Sequence, residues 1–219
     1  MARSDLPRPT ALARDTEALP PEATDTATFG MGCFWGPDAR FGAMPGVVRT
    51  RVGYAGGTKP DPSYYALGDH TEVVQVEYDP DALAYDDLLE VFWNNHAWAT
   101  AGKRQYRGVV LAHDDDQRAA AEQSRDDLEA RTGRSVETAV ESLSRFHFAE
   151  DYHQKYELRT LPAVADELED RYGDAFVDST VAARLNGFAA GHGSDEQRRD
   201  LLATLGLPPS VIDEIRRRF

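Results

Sequence analysis

Strand-like and helix-like stretches alternate unevenly along the chain from about Ala27 onward, and this alternation limits the folds that are open to it. Apolar side chains at every second position indicate strands, whereas apolar side chains three and four residues apart indicate helices. The alternation predicts several strands in one sheet with helices layered against it, in an α+β or an α/β arrangement. With 219 residues, 41% of them hydrophobic, the chain can bury one core with a small appendage.

The predicted elements are recognised from these local patterns together with turn and capping residues. Strands are predicted in "ATFGMGC", "VVRTRVGYAGG", "TEVVQVEYDP", "YRGVVLA" and "VETAVESLSRF". Helices are predicted in "WGPDARFGAM", "YDDLLEVFWNNH" and "DDDQRAAAEQSRDDLEARTG", the last with Asp114 and Gln117 spaced as a capping pair and Gly133 at its end. "KPDPSYYALGDH" is typical of a loop, and "HFAEDYHQKYELR" of a turn into a helix.

The predicted domain organisation has three parts. Residues 1–25 lack the continuous apolar segment of a secretory signal and are predicted to form a flexible leader. Residues 26–159 contain the alternating elements and are predicted to form the main domain. Residues 160–219 are predicted to form a helical extension, in which "LNGFAAGHGS" is a glycine-rich coil and a capping box of Ser194 and Gln197 opens the first of two final helices.

The composition excludes several classes of function. A net charge of −14 argues against binding to nucleic acids or anionic membranes, which need basic patches. No apolar run approaches the roughly 20 residues needed to span a bilayer. We expect a cytoplasmic monomer, and the excess of carboxylates favours adaptation to high salt over an ordinary acidic cytosolic protein. Without a CxxC, HExxH, P-loop or GxGxxG motif, neither a metal nor a nucleotide cofactor is expected.

The only cysteine, Cys33, lies where a predicted strand is followed by a predicted helix. The positive field at a helix N-terminus stabilises the thiolate, which is the reactive form of the side chain. Gly32 and Gly36 leave room for a substrate, and Phe34 and Trp35 offer an apolar wall beside the sulfur. A lone cysteine is more often a small buried hydrophobe, so Cys33 by itself leaves both interpretations open.

Glu72 and a group of tyrosines are the candidate partners of this thiol. Glu72 shares its strand parity with Val74 and Val76, which places its carboxyl group at the end of an apolar face. Exclusion of water there would raise the pKa and keep the group protonated as a general acid, whereas an exposed glutamate at a strand end is the alternative. Four tyrosines carry phenols that can donate a hydrogen bond to a polarised oxygen, although loop tyrosines more often cover surfaces: Tyr54, Tyr64, Tyr65 and Tyr106.

The string "GCFWG" at 32–36 resembles the signature of the A-type peptide methionine sulfoxide reductases. Further blocks that resemble this family follow in the family's order, within about residues 26–159. They are "MPGV" at 44–47, "GYAGG" at 53–57, "PSY" at 62–64, "HTEVVQVEYDP" at 70–80, "LLEVFWNNH" at 88–96, "QYRGVV" at 105–110 and "AEDYHQKY" at 149–156. Several ordered motifs are far more specific than one short string.

The resemblance implies a fold, a reaction and a set of site residues. The fold is expected to be α+β, a two-layer α/β sandwich whose mixed sheet is flanked by helices around a ferredoxin-like core. The reaction is the reduction of methionine S-sulfoxide to methionine, which leaves a sulfenic acid on the cysteine. By this resemblance Cys33 is the nucleophile, Glu72 the general acid, Tyr64 and Tyr106 the hydrogen-bond donors to the sulfoxide oxygen, and Phe34 and Trp35 the pocket for the S-methyl group.

The chain departs from the family pattern in two places. The loop "HAWATAGKRQYRG" is shorter than in the family and lacks an Asp of the substrate site, so Trp98 or Lys103 is expected to reshape the pocket. The chain also has no second cysteine to resolve the sulfenic acid. No cofactor is therefore expected beyond an external thiol reductant, either a small thiol or a thioredoxin-like protein.

Two other functions remain open from the sequence. A Cys-dependent hydrolase would need a His or Asp partner, and none stands in a convincing context. A degenerate family member would bind oxidised methionine without efficient turnover, or act on an altered sulfoxide, and the missing loop Asp supports this. The ordered motifs favour the reductase, acting on oxidised proteins or peptides, with free methionine sulfoxide as a second possible substrate.

Overall fold

The structure is a computed structural model that describes residues 23–218. Its strands are β1 (Asp25–Met31), β2 (Val47–Ala55), β3 (Thr71–Tyr78), β4 (Gly108–Ala112), β5 (Ala139–Ser142) and β6 (Phe146–Phe148). Its helices are α1 (Trp35–Gly42), α2 (Tyr85–Asn94), α3 (Asp115–Thr132), α4 (Tyr156–Arg159), α5 (Pro162–Tyr172), α6 (Thr180–Ala189), α7 (Asp195–Thr204) and α8 (Pro209–Arg218). None of these helices is long and apolar enough to cross a membrane.

The strands of the described residues form one mixed sheet in the order β5-β4-β1-β3-β2-β6. The neighbours among β4, β1, β3 and β2 are all antiparallel, so β1 and β2 run in the same direction on either side of β3. With α1 between β1 and β2, and α2 between β3 and β4, this is the split β-α-β arrangement of ferredoxin-like domains. β5 adds in parallel to β4, and β6 adds antiparallel to β2. The predicted α+β fold is confirmed.

The first three helices cover one face of the sheet. At the centre of this face, Phe29 of β1 stacks on Phe41 of α1, with ring centroids 5.4 Å apart, and on Phe92 of α2 at 5.1 Å. All three rings are fully buried, and each contributes about 1.5–3 kcal/mol to stability by leaving water. These contacts hold α1 against the sheet, with the start of the helix just beyond the end of β1.

The ends of α3 agree with the capping prediction at both positions. Asp114 accepts a hydrogen bond from the Gln117 backbone N–H at 2.8 Å, and Gly133 ends the helix in a left-handed conformation with φ of 65°. The Gln117 side chain does not return to Asp114 as in a capping box. It donates instead to the Thr26 carbonyl oxygen of β1 at 2.8 Å, which attaches α3 to the sheet.

The segment predicted as a glycine-rich coil is mostly helix. α6 continues to Ala189, so only residues 190–194 of "LNGFAAGHGS" are non-helical. A Cβ on Gly187 would lie 2.5 Å from the Ala39 carbonyl oxygen and 2.6 Å from the Ala43 Cβ of α1. The prediction was wrong because glycine here permits a close helix crossing, and the local sequence does not distinguish such a contact from a coil.

The edge strand β6 is a second element that the sequence analysis did not predict. His147 and Phe148 were predicted to begin a turn, but they lie in β6, whose His147 is paired with Tyr54 and whose Phe148 is paired with Gly53 of β2. A strand of three residues carries too little periodicity to be detected. Its pairing with β2 is what forms it, and that pairing is not visible in the local sequence.

The C-terminal helices form an apolar cluster of their own. Its members include Leu168 of α5, Leu185 of α6, Leu205 after α7 and Ile215 of α8, all almost fully buried. Because α6 also packs on α1, this cluster is attached to the ferredoxin-like core. The predicted boundary at residue 159 stays a prediction.

Two further sequence predictions concern the leader at the start of the chain and the capping box before the final pair of helices. The predicted leader, residues 1–25, lies outside the described residues except for its last three. The capping box that opens α7 is confirmed: the Gln197 backbone N–H donates to Ser194 Oγ at 3.2 Å, and the Ser194 N–H donates to Gln197 Oε1 at 2.7 Å.

Replacing Gly187 with alanine is expected to destabilise the protein by about 1–3 kcal/mol, because the new methyl group must separate α6 from α1. Urea unfolding followed by circular dichroism would measure this loss. Gly36→Ala is the matched control, since a Cβ there meets nothing within 4 Å and alanine is favoured in a helix. Equal stability of Gly187→Ala and the wild type would contradict the packing argument.

Candidate active site

Cys33 lies in the turn between β1 and α1, at one end of the sheet. Because β1 and β3 are antiparallel, the end of β1 adjoins the start of β3, where Glu72 is the second residue. Gly32 has a φ of 93°, a conformation that a residue with a side chain rarely adopts, and so turns the chain sharply from strand to helix. A Cβ on Gly32 or Gly36 would meet nothing within 4 Å, which agrees with the open space expected beside the sulfur.

Glu72 is buried, with 1% of its surface exposed. Its Oε2 accepts a hydrogen bond from the Phe34 backbone N–H at 3.2 Å, and its Oε1 accepts one from the Gln105 side-chain amide at 2.8 Å. Loss of water raises the pKa of Glu72, and the two hydrogen bonds oppose this rise because they favour the charged form. The pKa of Glu72 is raised on balance, in the direction that a general acid requires.

The side chain of Cys33 is free and exposed. Limited hydration by the surrounding protein raises the pKa of Cys33, and the negative charges of Glu72 and Glu157 raise it further. The Trp35 backbone N–H, at the start of α1, donates to the sulfur and lowers the pKa. The helix N-terminus thus acts in the predicted direction, but the effects that raise the pKa of Cys33 are larger.

The two predicted tyrosines lie beside this pair. Tyr64 begins the short 3₁₀ turn Tyr64–Ala66, Tyr106 ends the turn Arg104–Tyr106, and their hydroxyl groups share a hydrogen bond. Loss of water, followed by the charge of Glu72, raises the pKa of Tyr106 to about 12, with smaller effects of Tyr64 and Cys33. The structure therefore brings together Cys33, Glu72, Tyr64 and Tyr106, which come from four separate segments of the chain.

Phe34 and Trp35 differ in how much surface they offer. Phe34 is buried between Tyr54 and His153, with ring centroids 5.9 and 5.1 Å away. Trp35 is partly exposed, stacks on Tyr156 with centroids 3.6 Å apart, and donates its ring N–H to His153 Nδ1 at 3.2 Å. Trp35 is therefore the member of the predicted apolar wall that a substrate can contact, while Phe34 mainly supports the turn.

Three further residues around the site were not predicted. Gln105 holds the carboxyl group of Glu72. Glu150 accepts hydrogen bonds from the Tyr54 hydroxyl at 2.7 Å and from the Tyr64 backbone N–H at 3.0 Å, and so fixes the turn that carries Tyr64. His153 orients the Trp35 ring. The only sequence signal for them was their membership of "QYRGVV" and "AEDYHQKY", since nothing in their local pattern indicated these contacts.

The shortened loop reaches the site through its last residues. Trp98 packs against the helix-covered core, with the Arg134 guanidinium 5.0 Å above its ring, so the expectation that it reshapes the pocket is not supported. Lys103 is exposed, and its carbonyl oxygen accepts the Tyr106 N–H at 2.8 Å, which closes the turn that carries Gln105 and Tyr106. Within residues 23–218, no group of three or more His, Cys, Asp or Glu side chains is placed to hold a metal ion.

The arrangement can attack an electrophilic atom with sulfur while it protonates an oxygen bound to that atom. A family model described as peptide methionine sulfoxide reductase matches residues 25–176. A peptide methionine sulfoxide reductase of Drosophila melanogaster is 44% identical over 188 residues, which are 84% of this chain and 76% of that protein. One of Salinispora arenicola (strain CNS-205) is 47% identical over 151 residues, 62% of this chain and 68% of that protein.

Solved structures are similar over about two thirds of the chain. Reduced Mxr1 of Saccharomyces cerevisiae is similar with a TM-score of 0.60 and 27% identity, covering 65% of this chain and 88% of that chain. Methionine sulfoxide reductase A of Corynebacterium diphtheriae gives a TM-score of 0.56 at 30% identity, covering 64% and 76%. The fold is shared with methionine sulfoxide reductases, which are oxidoreductases. The chain belongs to the peptide methionine sulfoxide reductase family, and the resemblance found in its motifs is confirmed.

Substituting Gln105 with leucine is expected to raise the pKa of Glu72 further, because the lost hydrogen bond favours the charged carboxylate. The titration of Glu72 can be followed by ¹³C NMR of the labelled carboxyl group, assigned with Glu72→Gln. The midpoint should move to higher pH. Gln123→Leu is the control, since Gln123 donates to Asp127 on the exposed side of α3. A midpoint that is unchanged or lower in Gln105→Leu would show that this bond does not tune Glu72.

Proposed function

We propose that the chain reduces the S epimer of methionine sulfoxide to methionine, with Cys33 as nucleophile and Glu72 as general acid. The observation that carries the proposal is the hydrogen bond from the Phe34 N–H to the buried carboxyl group of Glu72. This bond holds a proton donor against the turn that presents the thiol. A hydrolase would instead need a base beside the sulfur, whereas Glu72, with its raised pKa, is poised as an acid.

The reaction follows from the charges of the sulfoxide group. Its sulfur is partly positive and its oxygen partly negative, so Cys33 attacks the sulfur while Glu72 gives a proton to the oxygen. Tyr64 and Tyr106 donate hydrogen bonds to the oxygen as its negative charge grows. The attack forms a sulfur–sulfur bond between Cys33 and the substrate. This bond and the substrate's sulfur–oxygen bond then break as the hydroxyl group transfers to the sulfur of Cys33, so methionine leaves and Cys33 becomes a sulfenic acid. Cys33 loses two electrons, the substrate gains them, and the thiol proton returns to Glu72.

Recycling of the sulfenic acid uses an external thiol, because the chain has no second cysteine. A first thiol condenses with the sulfenic acid to a mixed disulfide and water, and a second thiol releases Cys33 as that disulfide is exchanged. The exposure of Cys33 supports direct access by a small thiol or a thioredoxin-like protein. A reducing cytoplasm is the compartment that fits this chemistry, with the chain acting as a monomer and its acidic surface suited to high salt.

The proposed substrates are oxidised proteins and peptides, with free methionine sulfoxide as a smaller alternative. Exposed aromatic rings border the site and support this proposal. Tyr65, next to Tyr64, is 91% exposed, and Tyr152, next to His153, is 50% exposed. Aromatic side chains at this position offer contact area to the residues that flank a methionine sulfoxide.

Replacement of Cys33 by serine is expected to abolish the loss of methionine S-sulfoxide in excess dithiothreitol, because the weaker nucleophile cannot form the sulfenic acid. Chromatography that separates the two epimers would measure this, with the R epimer as an internal control that stays untouched in wild type and variant. A sulfenic acid reagent should label wild-type Cys33 after substrate and not after an ester. A wild type that binds methionine sulfoxide without consuming it would support the degenerate alternative.

The Glu72→Gln variant is expected to lower kcat by about 10²–10⁴-fold, since the amide keeps the shape of the side chain but cannot supply the proton. The matched control is Glu90→Gln, an exposed position on α2, which should keep the wild-type rate. Steady-state assays with a peptide substrate would compare the three proteins. A Glu72→Gln rate within a few-fold of wild type would exclude Glu72 as the acid.

A further inference from the structure

A fully buried polar cluster lies under α1. It consists of Asp38, Thr50, Lys155 and Asn186, each with 0% of its surface exposed. Lys155 Nζ lies 3.3 Å from Asp38 Oδ1 and donates to the Thr50 carbonyl oxygen at 2.6 Å, and the Thr50 hydroxyl donates to Asp38. A carboxylate without water needs a paired charge and donors for its free oxygens. The cluster supplies both, so Asp38 fixes α1 to β2 and to the segment before α4.

Asn186 joins this cluster from α6. Its Nδ2 donates to Asp38 Oδ2 at 3.0 Å, and its Oδ1 accepts the Leu158 backbone N–H of α4 at 3.0 Å. One amide side chain thus bridges the helix that follows the nucleophile and the short helix beside it. Removal of this side chain would leave a buried carboxylate oxygen and a buried N–H each without one partner.

The cluster is connected directly to the turn of the nucleophile. The Lys155 backbone N–H donates to Asp38 Oδ2 at 3.2 Å while Lys155 holds a left-handed φ of 54°, a conformation rare for a residue with a side chain. The next residue, Tyr156, stacks on Trp35 at the start of α1. The backbone N–H of Trp35 in turn donates to the sulfur of Cys33. A series of contacts therefore runs from Asp38 through Lys155, Tyr156 and Trp35 to the sulfur.

We propose that Asn186 is a positioning residue for Cys33, so that the functional reductase extends through α6. This residue lies outside the segment 25–176 that the family model matches, in the part of the chain that the sequence pattern places in an extension. The proposal rests on the reductase activity proposed above. According to this proposal, α6 supports the active site through the buried amide of Asn186, in addition to its place in the C-terminal apolar cluster.

The test replaces Asn186 with leucine, which has a similar size and no hydrogen bonds. We expect kcat to fall about 10- to 100-fold, as for a small misplacement of reacting groups, with KM changed less than twofold. The pH midpoint for alkylation of Cys33 by iodoacetamide should move to higher pH, because the Trp35 N–H no longer aligns with the sulfur. Alkylation needs no sulfoxide, so it tests the positioning even where the wild type reduces none.

The control is Leu205→Ala, a fully buried position of the C-terminal cluster that lies outside the polar cluster. It should lower the unfolding midpoint and keep the wild-type kcat and alkylation profile when assayed well below that midpoint. The exchanged pair Asp38→Asn/Asn186→Asp keeps one carboxylate and one amide in the cluster. It should recover part of the kcat lost in Asn186→Leu.

Two results would overturn the proposal. One is an Asn186→Leu protein that is less stable but has the kcat and alkylation profile of the wild type, which would make Asn186 only structural. The other applies if the leucine variant does not fold. Asn186→Asp should then recover activity relative to wild type as the pH falls, because the protonated carboxyl group can again donate to Asp38. Absence of that recovery, together with no recovery in the exchanged pair, would contradict the positioning role.

Discussion

The hydrogen bond between the Phe34 N–H and Glu72 is the contact on which the site depends, because it joins the turn of the nucleophile to the sheet. The backbone on one side of the bond belongs to the residue after Cys33, and the carboxyl group on the other belongs to the start of β3. The antiparallel pairing of β1 with β3 brings the two together. The register of that pairing is itself held by a core whose aromatic rings stack across β1, α1 and α2. Chemistry at the sulfur is therefore coupled to the packing of the whole helix-covered face.

Exclusion of water raises the pKa of both Glu72 and Cys33, which favours the proposed role of Glu72 and disfavours that of Cys33. The first effect favours a proton donor, and the second disfavours the thiolate. The Trp35 N–H offsets part of the second effect. In the proposed reaction, a sulfoxide oxygen that takes the proton of Glu72 leaves a carboxylate that can receive the thiol proton.

The C-terminal helices add a second layer of support. Close crossing of α1 and α6 at Gly187 brings the Asn186 side chain to Asp38, so a small residue for packing and a polar residue for bonding stand side by side. The same helix contributes Leu185 to the apolar cluster of α5, α7 and α8. One face of α6 thus packs against the ferredoxin-like core, and another packs against the other C-terminal helices.

Local sequence patterns determined most of the strands and helices, the position of Cys33 between β1 and α1, and the parity that puts Glu72 at the end of a buried face, because periodicity and turn residues act within a few positions. The motifs added the pairing of these residues with Tyr64 and Tyr106. Only the tertiary structure decided that Gln105, Glu150 and Asn186 support them, that Trp98 lies elsewhere, and that Gly187 belongs to a helix. These contacts join residues far apart in the chain, and the balance of the Cys33 pKa depends on how much water and charge the folded protein leaves around the sulfur.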